Sequence, residues 1–283
     1  WRLVQDHEDP QLLFAATEFG VFFSKNGGVQ WVKIKGGVPT ISFRDLAIQK
    51  REDDLVAASF GRSIYVLDDY SFLRSLAPEV LQQEAWLFPL RDAWWYVPRP
   101  ALSSGKGKGS QGAAHFTASN PPFGAVFTAY VKESYLSKKA IRQKAEKEDP
   151  DSASFPGWEA VEAERRSMPT KLWLVVRNAA DEEVRKIEVP AKAGFHRIAW
   201  DLRHPPTGTV REGQEDKKGS GLLAAPGTYT AGLYKEREGE WSQLGEIQQF
   251  EVKPMREGAL EGSTPEQVAA FNRQYEQAST RHS

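Results

Sequence analysis

Two stretches near the start of the chain are one stretch written twice. Residues 3–26, beginning Leu3-Val4-Gln5-Asp6, align without a gap on residues 46–69, beginning Leu46-Ala47-Ile48-Gln49, at an offset of 43 residues. Leu3/Leu46, Leu12/Leu55 and Ala15/Ala58 are identical, and Leu13/Val56, Val21/Ile64 and Phe22/Tyr65 keep apolar character. A period in the low forties with several short strands per unit is the pattern of β-propeller blades. Such a unit buries its faces only against neighbouring units, and two units do not close a ring. The repeat therefore predicts about two blades of an incomplete propeller, with missing N-terminal blades of the same protein as their first partners.

Strand-like runs at 12–17, 21–24, 30–34, 46–49, 55–60 and 63–67 are punctuated by turn signals at Glu18-Phe19-Gly20, Asn26-Gly27-Gly28 and 51–54. The aromatic segments 85–88 and 93–97 read as closing or bridging strands, so the first domain is expected to span 1–100. Residues 101–112 have the composition of a flexible linker, and their lysines lack the Gly-Lys-Ser/Thr ending of a phosphate loop. Residues 113–256 read as a β-sandwich, with strands at 125–131, 171–177, 184–189, 195–202, 227–234 and 248–252 separated by Gly and Pro. A helical insertion is expected at 134–167 and a polar loop at 211–220. In the tail, 257–283, Thr264-Pro265-Glu266-Gln267 is a helix start, with Thr as N-cap, Pro first and Gln third. The expected fold class is mainly β.

Composition narrows the function classes. With 37 basic against 38 acidic residues and a net charge of −1, no global field favours nucleic acid or an acidic membrane. Lys138, Lys139, Arg142 and Lys144 form a local basic patch, but Glu146, Glu148 and Asp149 balance it as on a solvated helix face. The absence of cysteine excludes disulfides and thiolate metal sites. No apolar run approaches the roughly 20 residues that a membrane helix needs, and no motif asks for a cofactor.

The sharpest local motif is Ser24-Lys25-Asn26-Gly27-Gly28-Val29-Gln30-Trp31. It resembles the Asp-box of bacterial neuraminidase repeats, with Asn26 at the Asp position and Gln30 at the Thr position. Physically it is a turn. Asn26 bonds backbone amides ahead of it, Gly28 takes positive φ, and Trp31 is expected to be buried as a plug between sheets. With its flanks the likeness widens. Residues 9–24, Gly36-Gly37-Val38-Pro39-Thr40, residues 44–49, and Phe60-Gly61-Arg62 with 65–70 resemble the sortilin-like propeller family of bacteria, whose members carry a repeat-based glycosyl hydrolase label. Residues 120–125, 194–203 and 225–230 resemble the immunoglobulin-like module that follows the propeller in that family. The resemblance covers nearly the whole chain. It implies an exported, extracytoplasmic protein and brings no catalytic set to transfer, since a fold does not establish a function.

Loop geometry suggests where a ligand would bind. In a four-stranded blade, alternate turns open on opposite ends. Glu18, Arg62, and Arg44 with Asp45 on the crossover are expected opposite Asn26, which makes Glu18, Arg44, Asp45 and Arg62 the ligand-binding candidates. His196 and Asp201 are five apart on a strand and so face opposite ways, which argues against an acid–base pair. His7-Glu8-Asp9 has metal-ligating residue types but reads as a polar hairpin tip, and no metal site is expected. The leading expectation is a non-catalytic binding or scaffold protein for a protein, peptide or glycan. The alternatives are a glycoside hydrolase with most of its carboxylates on missing blades, and a purely structural surface module. Hydrolysis needs two carboxyls about 5–5.5 Å or 6.5–9.5 Å apart. Glu18 and Asp45 are the carboxylates expected on the ligand end, and neighbouring arginines would keep them ionised, contrary to what a general acid needs.

Overall fold

The computed structural model describes residues 1–98, 118, 120–149, 155–206, 221–256 and 262–280. The linker expected at 101–112 and the loop expected at 211–220 lie outside the described residues. The fold is mainly β, in two compact units, residues 1–81 and 82–283.

The first unit holds two antiparallel meanders. One has four strands, β1 (Arg2–Gln5), β2 (Leu13–Thr17), β3 (Gly20–Ser24) and β4 (Val32–Lys33), paired in chain order. The other has three, β5 (Phe43–Gln49), β6 (Asp54–Ser59) and β7 (Ile64–Leu67). A 3-10 turn at Ser71–Ser75 and a short helix α1 (Pro78–Gln82) follow. The meanders share one core: Leu12, Phe14, Ala16 and Val21 pack with Phe43, Leu46, Leu55 and Ala57, and Tyr70 and Leu73 close the cluster.

Both repeat copies thus place the matched runs in the second strand of a meander. The gap-free register fails by one residue. Leu3 pairs with Ala15, but Leu46 pairs with Ala57 rather than the matched Ala58. Side chains alternate faces along a strand, so one residue reverses the whole strand. Leu3 is 58% exposed, whereas Leu46 is buried.

The second unit begins earlier than expected. β8 (Ala85–Leu87) pairs with β10 (Ala125–Val131), and β9 (Ala93–Trp95) runs parallel to β15 (Glu240–Pro254). The segment assigned to blade closure therefore belongs to this unit, and the boundary lies at Leu81–Gln82 rather than residue 100. Ala85, Leu87 and Ala93 are buried in the second unit's core, which is the physical reason. Between β10 and β11 (Lys171–Asn178) stand the helices α2 (Lys138–Glu148) and α3 (Trp158–Arg166), joined by Arg142 bonded to Glu164 at 2.8 Å. The remaining strands are β12 (Glu183–Val189), β13 (Gly194–Trp200) and β14 (Gly227–Arg237).

They form a three-stranded sheet, β13-β10-β8, and a five-stranded sheet, β12-β11-β14-β15-β9, around one core. Fully buried Trp200 sits edge-on to Tyr229 at 5.2 Å, and Phe127 edge-on to Phe250 at 5.4 Å. Gly124 shows why a glycine stands there: its φ is 104°, and a Cβ would lie 2.0 Å from the Trp200 carbonyl oxygen. β15 is far longer than the 248–252 read from sequence. Its first part, Glu240 to Leu244, pairs with β14, and the ladder then slips around Gly245. Helix α4 (Pro265–Thr280) opens with a reciprocal cap: the Thr264 amide donates to Gln267 Oε1 at 2.9 Å, and the Gln267 amide to Thr264 Oγ1 at 3.3 Å. No helix among the described residues is long and apolar enough to cross a membrane.

Candidate functional site: the two ends of residues 1–81

Antiparallel order puts the β1–β2 and β3–β4 loops at one end of the first meander and the β2–β3 turn at the other. Two contacts match these ends to the second meander. His7, in the β1–β2 loop, lies 3.4 Å from Asp53 in the β5–β6 turn. Trp1, at the start of β1, lies under the guanidinium of Arg44, 4.1 Å from its ring centre.

The first end is a clasp. The side chain of Asp6 is fully buried and accepts from Arg74 twice, Nε to Oδ2 at 2.8 Å and Nη2 to Oδ1 at 2.9 Å. The Tyr70 hydroxyl donates to Oδ1 at 2.6 Å, and the Asp9 amide to Oδ2 at 2.9 Å. Arg74 reaches on to Asp53 at 2.6 Å and Glu8 at 2.8 Å. Burial pushes Asp6 upward, but the bonds from Arg74, Tyr70 and the Asp9 amide outweigh it and hold the carboxyl well below the usual range. Burial and the bond to Asp6 raise the Tyr70 phenol above its usual value. Hydrogen bonds to Asp6 and Asp53 raise Arg74 in turn, against the effect of its burial.

Asp6, His7 and Asp53 bring ligand-type atoms within 4.8 Å of one another. The grouping differs from the His7-Glu8-Asp9 run noted in the sequence, because Asp53 comes from the other meander. A guanidinium already fills the place a cation would take. The chemistry is that of a structural bolt, since a buried carboxylate needs partners and here has Arg74, the Tyr70 hydroxyl and the Asp9 amide.

The Ser24–Trp31 loop lies at this same end, where the Gly27 amide donates to the Gln11 carbonyl at 3.0 Å. Ser24 is buried; its hydroxyl donates to Asn26 Oδ1 at 3.0 Å and accepts from the Gly28 amide at 2.9 Å. Asn26 Oδ1 also accepts from the Gln30 amide at 2.8 Å, and Gly28 has φ of 94°. Lys25 bonds Asp9 and the Arg74 carbonyl, tying the loop into the clasp. Trp31 departs from expectation: it is 39% exposed and lies against Gly28 rather than plugging a gap between sheets. The buried aromatics of this core are Phe14, Phe43 and Tyr70.

The second end is open. Glu18 lies in the β2–β3 turn and Arg62 in the β6–β7 turn, both exposed, and neither makes an ion pair among the described residues. Arg44 and Asp45 were expected on the crossover; they belong instead to β5, at the end that pairs with Ser59. Arg44 lies between Trp1 and Phe60, 4.1 and 5.1 Å from their ring centres. Asp45 pairs with Arg2 at 3.4 Å. Trp1, Phe19 and Phe60 are each about two-thirds exposed, at 66%, 66% and 69%. The four candidates therefore share the end opposite Asn26, with three aromatic rings that charge patterning alone did not pick out.

In the second unit, His196 and Asp201 do not meet. His196 Nε2 lies 2.6 Å from the Lys192 carbonyl, and Asp201 accepts from the Arg203 amide at 3.2 Å.

No family model matches the chain, and no curated protein matches it. Among solved structures, a biofilm-associated protein, described as its BSP domain, aligns over 91% of this chain at 6% identity with a TM-score of 0.22. This chain spans 25% of that protein's length, and a likeness this distant carries no weight for fold or function.

Proposed function

We propose that residues 1–81 are two blades of a sortilin-like propeller, in a non-catalytic extracytoplasmic protein that binds a protein, peptide or glycan. The observation that carries this reading is the pair of repeat-related meanders whose outer faces are apolar. Leu3, Leu13, Ala15 and Phe22 line the outer side of one, and Ala47, Val56, Ile64 and Val66 that of the other; Leu3, Ile64 and Val66 are 58%, 62% and 52% exposed. Apolar residues on both faces of a sheet are what a stack of sheets demands, because each blade is covered on two sides. The ligand would meet the open end, where Glu18, Arg44, Asp45 and Arg62 stand beside Trp1, Phe19 and Phe60. Aromatic rings with arginine make strong recognition surfaces.

The second unit serves as an immunoglobulin-like docking module. Its two sheets around one core support this, as does Tyr229, whose hydroxyl bonds the Ala225 carbonyl upstream at 2.6 Å, a device of such sandwiches. Against the hydrolase alternative, Asp45 is paired with Arg2, and the Asp6 and Asp53 carboxylates are held by Arg74, which leaves Glu18 without a second unpaired carboxylate among these residues.

The test is array binding to glycans and peptides by the protein with its upstream repeats, beside its Arg62→Ala variant. Weaker binding at unchanged stability supports the reading. Polysaccharide turnover, or affinity that Arg62→Ala leaves alone, overturns it.

A further inference from the structure

The outer face of the five-stranded sheet, away from the core, carries a second layer of its own. Trp173 on β11 stands beside Tyr234 on β14, and Trp241 enters from the start of β15. The two indoles lie nearly parallel, 23° apart with centres 6.4 Å apart, and Tyr234 is 6.5 Å from Trp241. Lys186 on β12 sets its ammonium 3.7 Å from the Trp241 ring centre and 4.6 Å from that of Trp173; Lys171 lies 5.6 Å from Trp173.

This layer is built. Val175, beneath it, is only 4% exposed though it lies outside the main core. Gly232 makes room for the Tyr234 ring, which a Cβ there would approach to 2.9 Å. Trp173 Nε1 donates to Glu236 at 2.6 Å, which fixes the indole. The result is a rigid aromatic floor with Trp241 still 44% exposed.

Lys171 and Lys186 share this face with Glu188 and Glu236, yet neither ammonium is in an ion pair with them. Among the described residues neither Lys171 nor Lys186 has a carboxylate partner; both ammoniums rest on ring faces, an attraction weaker than an ion pair. Glu188 and Gln243 flank Trp173 and Tyr234 across the strands and supply acceptors for hydroxyl groups. Flat rings, ammonium groups without counter-ions and hydroxyl acceptors together match a sugar ring that bears a carboxylate. A polyphosphate fits less well, since Glu188 and Glu236 share the face.

We propose that the Trp173–Tyr234–Trp241 face of the second unit binds an acidic polysaccharide, stacking a uronate ring on Trp241 and pairing its carboxylate with Lys186 and Lys171. The test is titration of the 283-residue chain with oligogalacturonate and with a neutral cello-oligosaccharide, followed by tryptophan fluorescence and calorimetry at low and high salt. The uronate oligomer is expected to bind, more weakly at high salt, and the neutral one at least about tenfold more weakly. Trp241→Ala and Lys186→Met, the second keeping the apolar stem, are each expected to lower uronate affinity by about tenfold or more with circular dichroism unchanged. Failure of the uronate to bind overturns the proposal. Equal affinity for the neutral oligomer, tighter binding to an oligonucleotide or anionic vesicles, or affinity that survives both substitutions does so too.

Discussion

At one end of the two meanders the guanidinium of Arg74 is buried between Asp6 and Asp53; at the other, the guanidinium of Arg44 lies in the open between Trp1 and Phe60. The residue types are alike and the surroundings are opposite. At the clasp every strong donor and acceptor has found a partner within the fold, so the perturbed acidities report structure rather than chemistry. At the open end Trp1, Phe19 and Phe60 are about two-thirds exposed, and Glu18 and Arg62 make no ion pair among the described residues. The perturbed acidities therefore do not by themselves mark a functional site.

The largest effect is expected from Arg74→Met. It leaves Asp6 buried without its counter-ion, which costs about 3–5 kcal/mol. Denaturant unfolding, read locally by amide exchange in β1 to β7, measures it. A loss under about 1 kcal/mol would mean the clasp is ornamental.

Next comes pH dependence. The folded Asp6 lies below its unfolded value of 3.8, so its contribution is complete above that value and is lost as pH falls below it. Tyr70 has the opposite sign: raised from 10.0, it contributes fully below that pH, and the contribution fades as pH climbs beyond it. Stability of residues 1–81 is therefore expected to fall at both extremes. Asp6→Asn should flatten the acid limb and Tyr70→Phe the alkaline limb. Limbs unchanged in these variants would place the titrating groups elsewhere.

A smaller effect belongs to the Ser24–Trp31 loop. Asn26→Ala removes a side-chain bond to the Gln30 amide and is expected to cost about 1–2 kcal/mol. Trp31→Ala, at a side chain 39% exposed, is expected to cost less than the roughly 3–5 kcal/mol of a core aromatic. Thermal melts of the two variants measure both, and a loss of about 3–5 kcal/mol for Trp31→Ala would restore the plug.

Legibility in the sequence followed the range of the interaction. β2 and β6 were readable because Phe14, Ala16, Leu55 and Ala57 write the core into alternate residues of one short run. The cap of α4 was readable because Thr264 and Gln267 are three apart. The register of β1 on β5 was not, because one residue in a connection reverses a strand without disturbing the apolar pattern. The aromatic segments at Trp86 and Trp94–Trp95 announced strands but not which sheet would take them. The clasp was the least legible. Asp6 meets Tyr70 and Arg74 across separations of 64 and 68 residues, and nothing local marks Asp6 as buried. Glu18 and Arg62 stand in the β2–β3 and β6–β7 turns that turn alternation put opposite Asn26, whereas Arg44 and Asp45 lie in β5 rather than on the crossover. The aromatic neighbours Trp1 and Phe60 were not legible, since nothing in either segment says that Arg44 will lie between them.

The most direct test of the contrast between the ends is the stability of Arg62→Ala and Arg44→Ala measured beside Arg74→Met in the same chain. Arg62 has no ion pair among the described residues, and Arg44 has only exposed rings to lose. Each is expected to change the unfolding free energy of residues 1–81 by less than about 1 kcal/mol. A loss at either position comparable to that of Arg74→Met would show that the open end also holds the meanders together, and the division between clasp and open end would fail.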